Sequence, residues 1–427
     1  MEISQIHQLF LNSNGVCTDT RNIKNNQIFI ALKGENFNGN AYALQAIEKG
    51  ASFAIVDDKE INHEKLILVE DTLKALQNLA TYHRNYLNIP IIALTGSNGK
   101  TTTKELINAV LSTKYNCTAT QGNLNNHIGV PLTLLSMNKD TQIGVVEMGA
   151  NHMREIAELS EIAAPNYGYI TNIGKAHLEG FGSEENILIG KTELYDYIKK
   201  NSGTLFCNAE DHKLFPLASK AKSLFFSKND AEHLIVKLTG STPFVSVSFN
   251  DTEIQSQLIG NYNYTNIAAS ILIGTYFKVD EKNIKTAIEK YTPKNNRSEL
   301  VTKGSNTIIL DAYNANPSSM KEALNHLHNT TTDKVQKIAI LGDMFEMGKY
   351  ADKEHQDIVE LTKGLSIDEI VLVGENFNNC NTNYNKIIAF KKVESLLSHL
   401  EEKKYTNSLF LIKGSRGMKL EQTLEIF

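Results

Sequence analysis

Short apolar runs alternate with longer stretches of helical periodicity along most of this chain. "QIFIAL" (27–32) and "ASFAIVDD" (51–58) read as strands, and "NAYALQAIEKG" between them reads as a helix closed by Gly50. From Ile89 the pattern becomes strand, loop, helix, repeated: "IPIIALTG" then "KTTTKELINAVLSTK", "TQIGVVEMGA" then "MREIAELSEIA", "NYGYITNIG" then "EENILIGKTELYDYIKK". "FVSVSF" and "EIQSQLIG" read as an antiparallel hairpin around "NDT". "NTIILDAY", "QKIAILGDM", "DEIVLVG" and "SLFLIKG" are further strands spaced by helices. Strands that alternate with helices imply a mainly parallel sheet covered on both faces. The expected fold is therefore α/β in three blocks, 1–85, 86–298 and 299–427, the central one built as a phosphate-loop domain.

Length supports that division, because 427 residues exceed what one core normally serves. A net charge of −5 gives no reason to expect nucleic acid or an anionic membrane surface as partner. No apolar run reaches bilayer length and "MEISQIHQLF" lacks the features of a signal peptide, so no membrane insertion is expected. Cys17, Cys117, Cys207 and Cys380 form no C-x-x-C pair, which points away from a structural zinc and toward a reducing, cytoplasmic setting.

Chemistry concentrates in "TGSNGKTTTK". The usual phosphate loop places a glycine five residues before its Gly-Lys-Ser/Thr. Here Leu94 holds that position, and the earlier glycine is Gly96. The loop has two spacer residues between its glycines instead of four, but it still follows a strand and opens a helix. Backbone N–H groups of Gly96, Ser97, Asn98, Gly99, Lys100, Thr101 and Thr102 can then approach phosphate oxygens at a helix N-terminus. Lys100 is the phosphate-directed cation and Thr101 a magnesium ligand. Glu147 ends a strand, where ligands of doubly wound sheets collect, and suits the same metal. His177, in "TNIGKAHLEGFGS", follows the next strand at the same edge, so a metal or catalytic role competes evenly with a structural one. Lys191, in "ILIGKTEL", lies on an apolar helical stretch, where a bare ammonium is costly unless it snorkels or is modified, although spacing alone equally allows an ordinary solvent-facing lysine. Lys413 and Arg416 in "KGSRGMK" could bind a carboxylate, or simply form a solvated basic loop.

"TGSNGKTTTK", "GNLNNHIGVPLTLL", "VEMGANHMREI", "NIGKAHLEGFGS", "LDAYNANPSSM", "LGDMFEMG" and "LIKGSRGMKLE" together resemble, in this order, the Mur ligases, ATP-dependent amide ligases of peptidoglycan synthesis. The resemblance implies an N-terminal UDP-sugar domain, a central ATP domain and a Rossmann-like C-terminal domain. It implies ATP and Mg2+ as cofactors. The implied substrates are a UDP-N-acetylmuramoyl-tripeptide and D-alanyl-D-alanine, joined by a monomer. By resemblance Lys100, Lys191 and His177 are catalytic, with Lys191 carried as a carbamate, and Thr101, Glu147, His177 and Lys191 serve the metal. Asn263 and Asn314 fall in adenine-side motifs, Asp311 matches a ribose-side carboxylate and Arg297 a phosphate-binding arginine. Thr20 and Arg21 in "CTDTR" match a uridine-diphosphate motif, and Asn126, Lys413 and Arg416 are substrate contacts. Two motifs depart from the family: Asn38-Gly39-Asn40 stands where Asp-Gly-His is usual, and Tyr262-Asn263 where His-Asn is usual. Alternatives are a folate polyglutamylating ligase, against which stand the 95 residues ahead of Gly96, and a nucleotide-driven switch or motor.

Overall fold

The computed structural model describes residues 1–427. Its first block is a four-stranded parallel sheet in the order Val16–Cys17, Ile28–Ile30, Phe53–Val56, Leu66–Leu68. Helix Thr72–Leu87, capped by Asp71 at its start and left-handed Asn88 at its end, follows this sheet. It packs against helix Ile3–Leu11 of the first block and against helices Gly129–Leu135 and Glu155–Ala163 of the second. The expected boundary at 85 thus falls within a helix shared by both blocks.

The central sheet has seven parallel strands in the order Leu234–Ile235, Ser223–Ser227, Thr204–Asn208, Tyr167–Ile170, Ile91–Thr95, Ile143–Glu147, Cys117–Ala119. Alternation along each strand divides its side chains between two apolar layers. Ile92 and Leu94 pack with Leu106, Ile107 and Val110 of helix Lys100–Leu111 and with helix Asn263–Tyr276. Ile91 and Ala93 face the other way, toward helices Thr72–Leu87, Gly129–Leu135 and Glu184–Lys200. Both faces are covered, which is why these strands read as continuous apolar runs. The hairpin around "NDT" is present, as Ser246–Phe249 paired antiparallel with Thr252–Gln255.

In the C-terminal sheet the order is Glu299–Lys303, Asn306–Asp311, Ser408–Lys413, Gln336–Gly342, Glu369–Val373, Ile387–Phe390. All neighbours are parallel except the first pair, an antiparallel edge hairpin. Two features position a site. The connection leaving strand Ile91–Thr95 runs toward one edge of the sheet and that leaving its neighbour Tyr167–Ile170 toward the other, so the loop after Ile91–Thr95 occupies the switch point of the central sheet. At the carboxyl edge of the C-terminal sheet, Asp311 and Lys413 are direct register partners.

Candidate active site

The phosphate loop runs from Thr95 to the helix that begins at Lys100. Its two glycines have separate reasons to be glycine. Gly96 has φ +141°, and a Cβ there would lie 2.0 Å from Thr171 Oγ1. Gly99 has φ +79°, and a Cβ would lie 2.7 Å from Asn266 Oδ1. The loop is tied to the neighbouring strand's loop. Ser97 Oγ donates to Gly174 O at 2.9 Å, Asn98 N donates to Asn172 Oδ1 at 3.0 Å, and Thr171 Oγ1 donates to Asn98 O at 2.6 Å. Lys100 Nζ folds back onto Gly96 O and Ser97 O at 2.8 and 3.2 Å. Burial lowers its pKa and nearby Arg297 adds to this, with Glu147 opposing.

Glu147 sits beneath the loop and is 1% exposed. Its Oε1 accepts from Asn125 Nδ2 at 2.8 Å and from Thr101 Oγ1 at 3.3 Å. Its Oε2 is buried without a partner. A buried, half-satisfied carboxylate beside a hydroxyl is costly alone and well suited to a hard cation. No group of three or more His, Cys, Asp or Glu side chains able to hold a metal is assembled anywhere. Such a cation would therefore draw its remaining ligands from phosphate and water, the usual habit of Mg2+.

Lys191 is 0% exposed and donates to Ala150 O at 2.9 Å. Its pKa lies well below the usual lysine range, first through burial and then through Lys100, with Glu155 and Glu193 opposing. The anomaly read from its apolar surroundings is thus physical: burial disfavours the ammonium, the direction that carbamate formation requires.

His177 is brought to the same edge, in left-handed backbone at the start of Leu178–Phe181. Its Nδ1 hydrogen-bonds Glu346 of the C-terminal block. Asn263 is buried, donating to Ile259 O at 2.8 Å and accepting from Asn266 Nδ2 at 2.7 Å, while Asn266 Oδ1 accepts from Thr103 Oγ1 at 2.9 Å. Its departing neighbour Tyr262 contacts Ser298 Oγ at 2.9 Å.

Across the cleft, Arg297 stacks on Tyr313, 3.6 Å from the ring centroid. Asp311 Oδ1 accepts from Ser298 N at 3.2 Å, and Oδ2 takes Lys413 Nζ at 2.5 Å. Lys413 also donates to Asn314 O at 3.1 Å. Lys413 is therefore buried and already paired. Arg416 is exposed, pairs with Glu421 at 3.1 Å, and lies 5.9 Å from the ring centroid of the same Tyr313. The two cations do not form a joint anion clamp here.

One cleft of about 1070 Å³ gathers Ser97 through Thr102, Asn126, Glu147, His177, Asn263, Arg297, Asp311, Asn314 and Lys413 along its walls. Gly96 and Lys191 lie behind the lining, and Arg416, Thr20 and Arg21 are outside it. Arg21 is exposed and paired with Asp19 at 2.8 Å, and Thr20 O accepts from Lys49 Nζ at 3.0 Å. Asn126 Oδ1 accepts from Ile128 N and Gly129 N, capping the next helix. In the departing motif, Asn40 ties the turn to Asp57 at 2.6 Å, a structural use of that position. Sequence reasoning missed Asn125, Asn316 and Glu346. The first stands in a quoted motif, but its carboxylate partner is 22 residues away. Asn316 Nδ2 reaches Asn98 Oδ1 at 2.7 Å, 218 residues away, a pairing no local pattern signals.

Family comparisons agree with this geometry. Residues 12–84 match the Mur ligase family catalytic domain, 94–274 the Mur ligase middle domain and 296–416 the Mur ligase glutamate ligase domain. UDP-N-acetylmuramoyl-tripeptide–D-alanyl-D-alanine ligase of Bacillus subtilis is 34% identical, covering 96% of this chain and 92% of its own length. The protein of the same name from Rickettsia prowazekii is 33% identical over 98% and 96%. The crystal structure of MurF from Acinetobacter baumannii superposes with TM-score 0.87 at 30% identity, covering 98% of this chain and 97% of that one. MurF ligase from Thermotoga maritima, solved in complex with ADP, gives 0.84 at 26% identity, covering 98% and 97%. With all three blocks matched in order and the relatives aligned over nearly their whole length, the chain belongs to the Mur ligase family.

Proposed function

We propose that this chain is an ATP-dependent amide ligase that joins D-alanyl-D-alanine to UDP-N-acetylmuramoyl-tripeptide in peptidoglycan precursor synthesis, releasing ADP and phosphate. The observation that carries this reading is the single cleft in which the phosphate loop faces the Asp311–Lys413 edge of the C-terminal sheet. The names of the full-length relatives supply the substrates.

A carboxylate does not react with an amine at a useful rate until one of its oxygens becomes a good leaving group. ATP supplies this by phosphorylating the tripeptide carboxylate to an acyl phosphate. The dipeptide amine attacks the acyl carbon, and phosphate departs with that oxygen. Charge develops on the transferred phosphoryl group, so donors aimed there carry most of the catalysis. Ser97 N and Asn98 N are held by Asn172, so the backbone N–H groups of 99–102 cradle the phosphates, and Lys100 releases its carbonyl contacts to bind them. Arg297 neutralises charge from the opposite wall, Asp311 takes the ribose, and Asn263 and Asn314 border the adenine. Magnesium, when bound, would be held by Thr101 and Glu147 and would neutralise phosphate charge. Lys191 as a carbamate would place an anion behind the loop, and His177 would contribute from the edge. Thr20, Arg21 and Asn126 are assigned to the UDP-tripeptide and Arg416 to the dipeptide carboxylate. One chain carries both walls of the cleft, which supports a monomer, and soluble nucleotide substrates support a cytoplasmic setting.

The test is an ATPase assay coupled to mass analysis, with UDP-muramoyl peptides carrying either diaminopimelate or lysine. ADP release should depend on both peptide and dipeptide, and the product should gain the mass of D-alanyl-D-alanine less water. ATP turnover indifferent to the dipeptide would instead support a nucleotide-driven switch.

A further inference from the structure

We propose that Glu346 is the positioning residue for His177, fixing its ring tautomer only while the C-terminal domain is docked on the central one. The proposal deepens the ligase reading and rests on it for His177's role.

The only protein hydrogen bond of the His177 ring is that from Nδ1 to Glu346, 169 residues away. A carboxylate accepts, so Nδ1 carries the proton and Nε2 of the neutral ring is left as the free lone pair. A carboxylate behind an imidazole is the usual way a protein fixes which nitrogen faces a metal or substrate. Both partners are in left-handed backbone, His177 at φ 55° and Glu346 at φ 61°. That conformation is uncommon outside glycine and is retained where the surroundings impose it.

The surroundings of Glu346 belong to the C-terminal domain. Its loop is pinned there at three points. Asp343 accepts from Asn376 N and Phe377 N at 2.9 and 3.0 Å, Met344 N donates to His355 Nε2 at 2.9 Å, and Phe345 N donates to Ser415 Oγ at 2.8 Å. The loop must therefore travel with the domain. Its contacts with the segment around His177 are all across the seam between domains. Glu179 N donates to Glu346 O at 3.0 Å, Tyr350 Oη donates to Gly182 O at 2.8 Å, and Lys175 pairs with Glu354 at 2.6 Å. Separation of the domains would remove Glu346 and leave the His177 ring free to change tautomer. Readiness of the ring is thereby made conditional on docking. The Glu346 side chain is 49% exposed, so its loss should leave the fold intact.

The test uses the full chain labelled with 15N-histidine, free of nucleotide and metal, in alkaline buffer, with the His177 signal assigned from its absence in His177→Gln. Wild type should show the Nδ1–H tautomer. Glu346→Ala should shift it toward Nε2–H, while Glu346→Gln, which keeps an acceptor, should retain Nδ1–H. In ligation assays Glu346→Ala should lose roughly 10- to 100-fold in kcat with little change in the KM for ATP, and Glu346→Gln should recover most of it. Loss of kcat without a tautomer change, a wild-type ring already in the mixed state, or an Ala variant with normal kcat would each overturn the proposal. Wild type that forms no amide product would overturn the ligase reading instead, and the tautomer comparison would still decide the Glu346 claim.

Discussion

At the scale of single residues, the site is a set of side chains whose local costs are met only by a ligand. Lys100 folds onto two loop carbonyls, Glu147 leaves one buried oxygen unpartnered, and Lys191 is enclosed with a single hydrogen bond. Lys100→Ala should lower kcat on the order of 10²- to 10³-fold with an unchanged thermal melt, since it removes one phosphate-directed donor. Near-normal turnover in the folded variant would refute the role. Lys191→Ala should be almost inactive and partly restored by added short carboxylic acids, which can occupy the space of a carbamate. Lys191→Arg should stay inactive, because a guanidinium keeps charge but carries no carbamate. A strongly active Arg variant would mean that Lys191 acts as a plain cation. These residues were legible because each stands in a contiguous stretch whose chemistry is unusual for its place. Asn125, Asn316 and Glu346 were not, because an amide or carboxylate is ordinary in a loop until its distant partner is known.

Among elements, the strands of the two large sheets were legible from their apolar runs and the helices from their periodicity. Helix Asn263–Tyr276 was not. Eleven of its residues are buried, on nearly every side, so it has no polar face to set a period. Edge strand Glu299–Lys303 alternates only between half-buried and exposed positions, a weak signal, and turns back through Gly304 at φ +57°. Helix Thr72–Leu87 had its cap signals in Asp71 and Asn88, yet it bridges two blocks and so gives no composition break. Its His83 forms a buried pair with His7 of helix Ile3–Leu11. His83 Nε2 lies 2.9 Å from Met137 O and must donate, so His83 Nδ1 accepts from His7 Nε2 at 3.0 Å. Burial lowers both pKa values from 6.5; at His7 the neighbouring His83 adds to this, and at His83 the hydrogen bond to Met137 O opposes it. The unfolded chain then binds more protons than the folded one below about pH 6.5, so stability is lost as pH falls from there toward the folded values. His83→Gln, which can still accept and donate, should make the fall in Tm between about pH 7 and pH 5 shallower. An undiminished slope would show that the pair does not titrate with unfolding.

For the whole molecule, the sequence conveyed three blocks and their order but not how they meet. Among the contacts that join the central and C-terminal blocks, Asn98 to Asn316, Lys175 to Glu354 and His177 to Glu346 link residues 169 to 218 positions apart. Docking sets the two walls of the cleft against each other, and catalysis should follow it. Arg416 is exposed beside the cleft residue Tyr313 on the C-terminal side, just outside the lining, so Arg416→Ala should raise the KM for the dipeptide much more than that for ATP. Equal effects would argue against a dipeptide contact. The central claim is that this fold delivers a carboxylate to ATP and then to an amine through an acyl phosphate. It is tested most directly with UDP-N-acetylmuramoyl-tripeptide labelled with 18O in the reacting carboxylate, incubated with ATP and D-alanyl-D-alanine. The account predicts one labelled oxygen in the released phosphate for each amide formed. Amide product with unlabelled phosphate would contradict it.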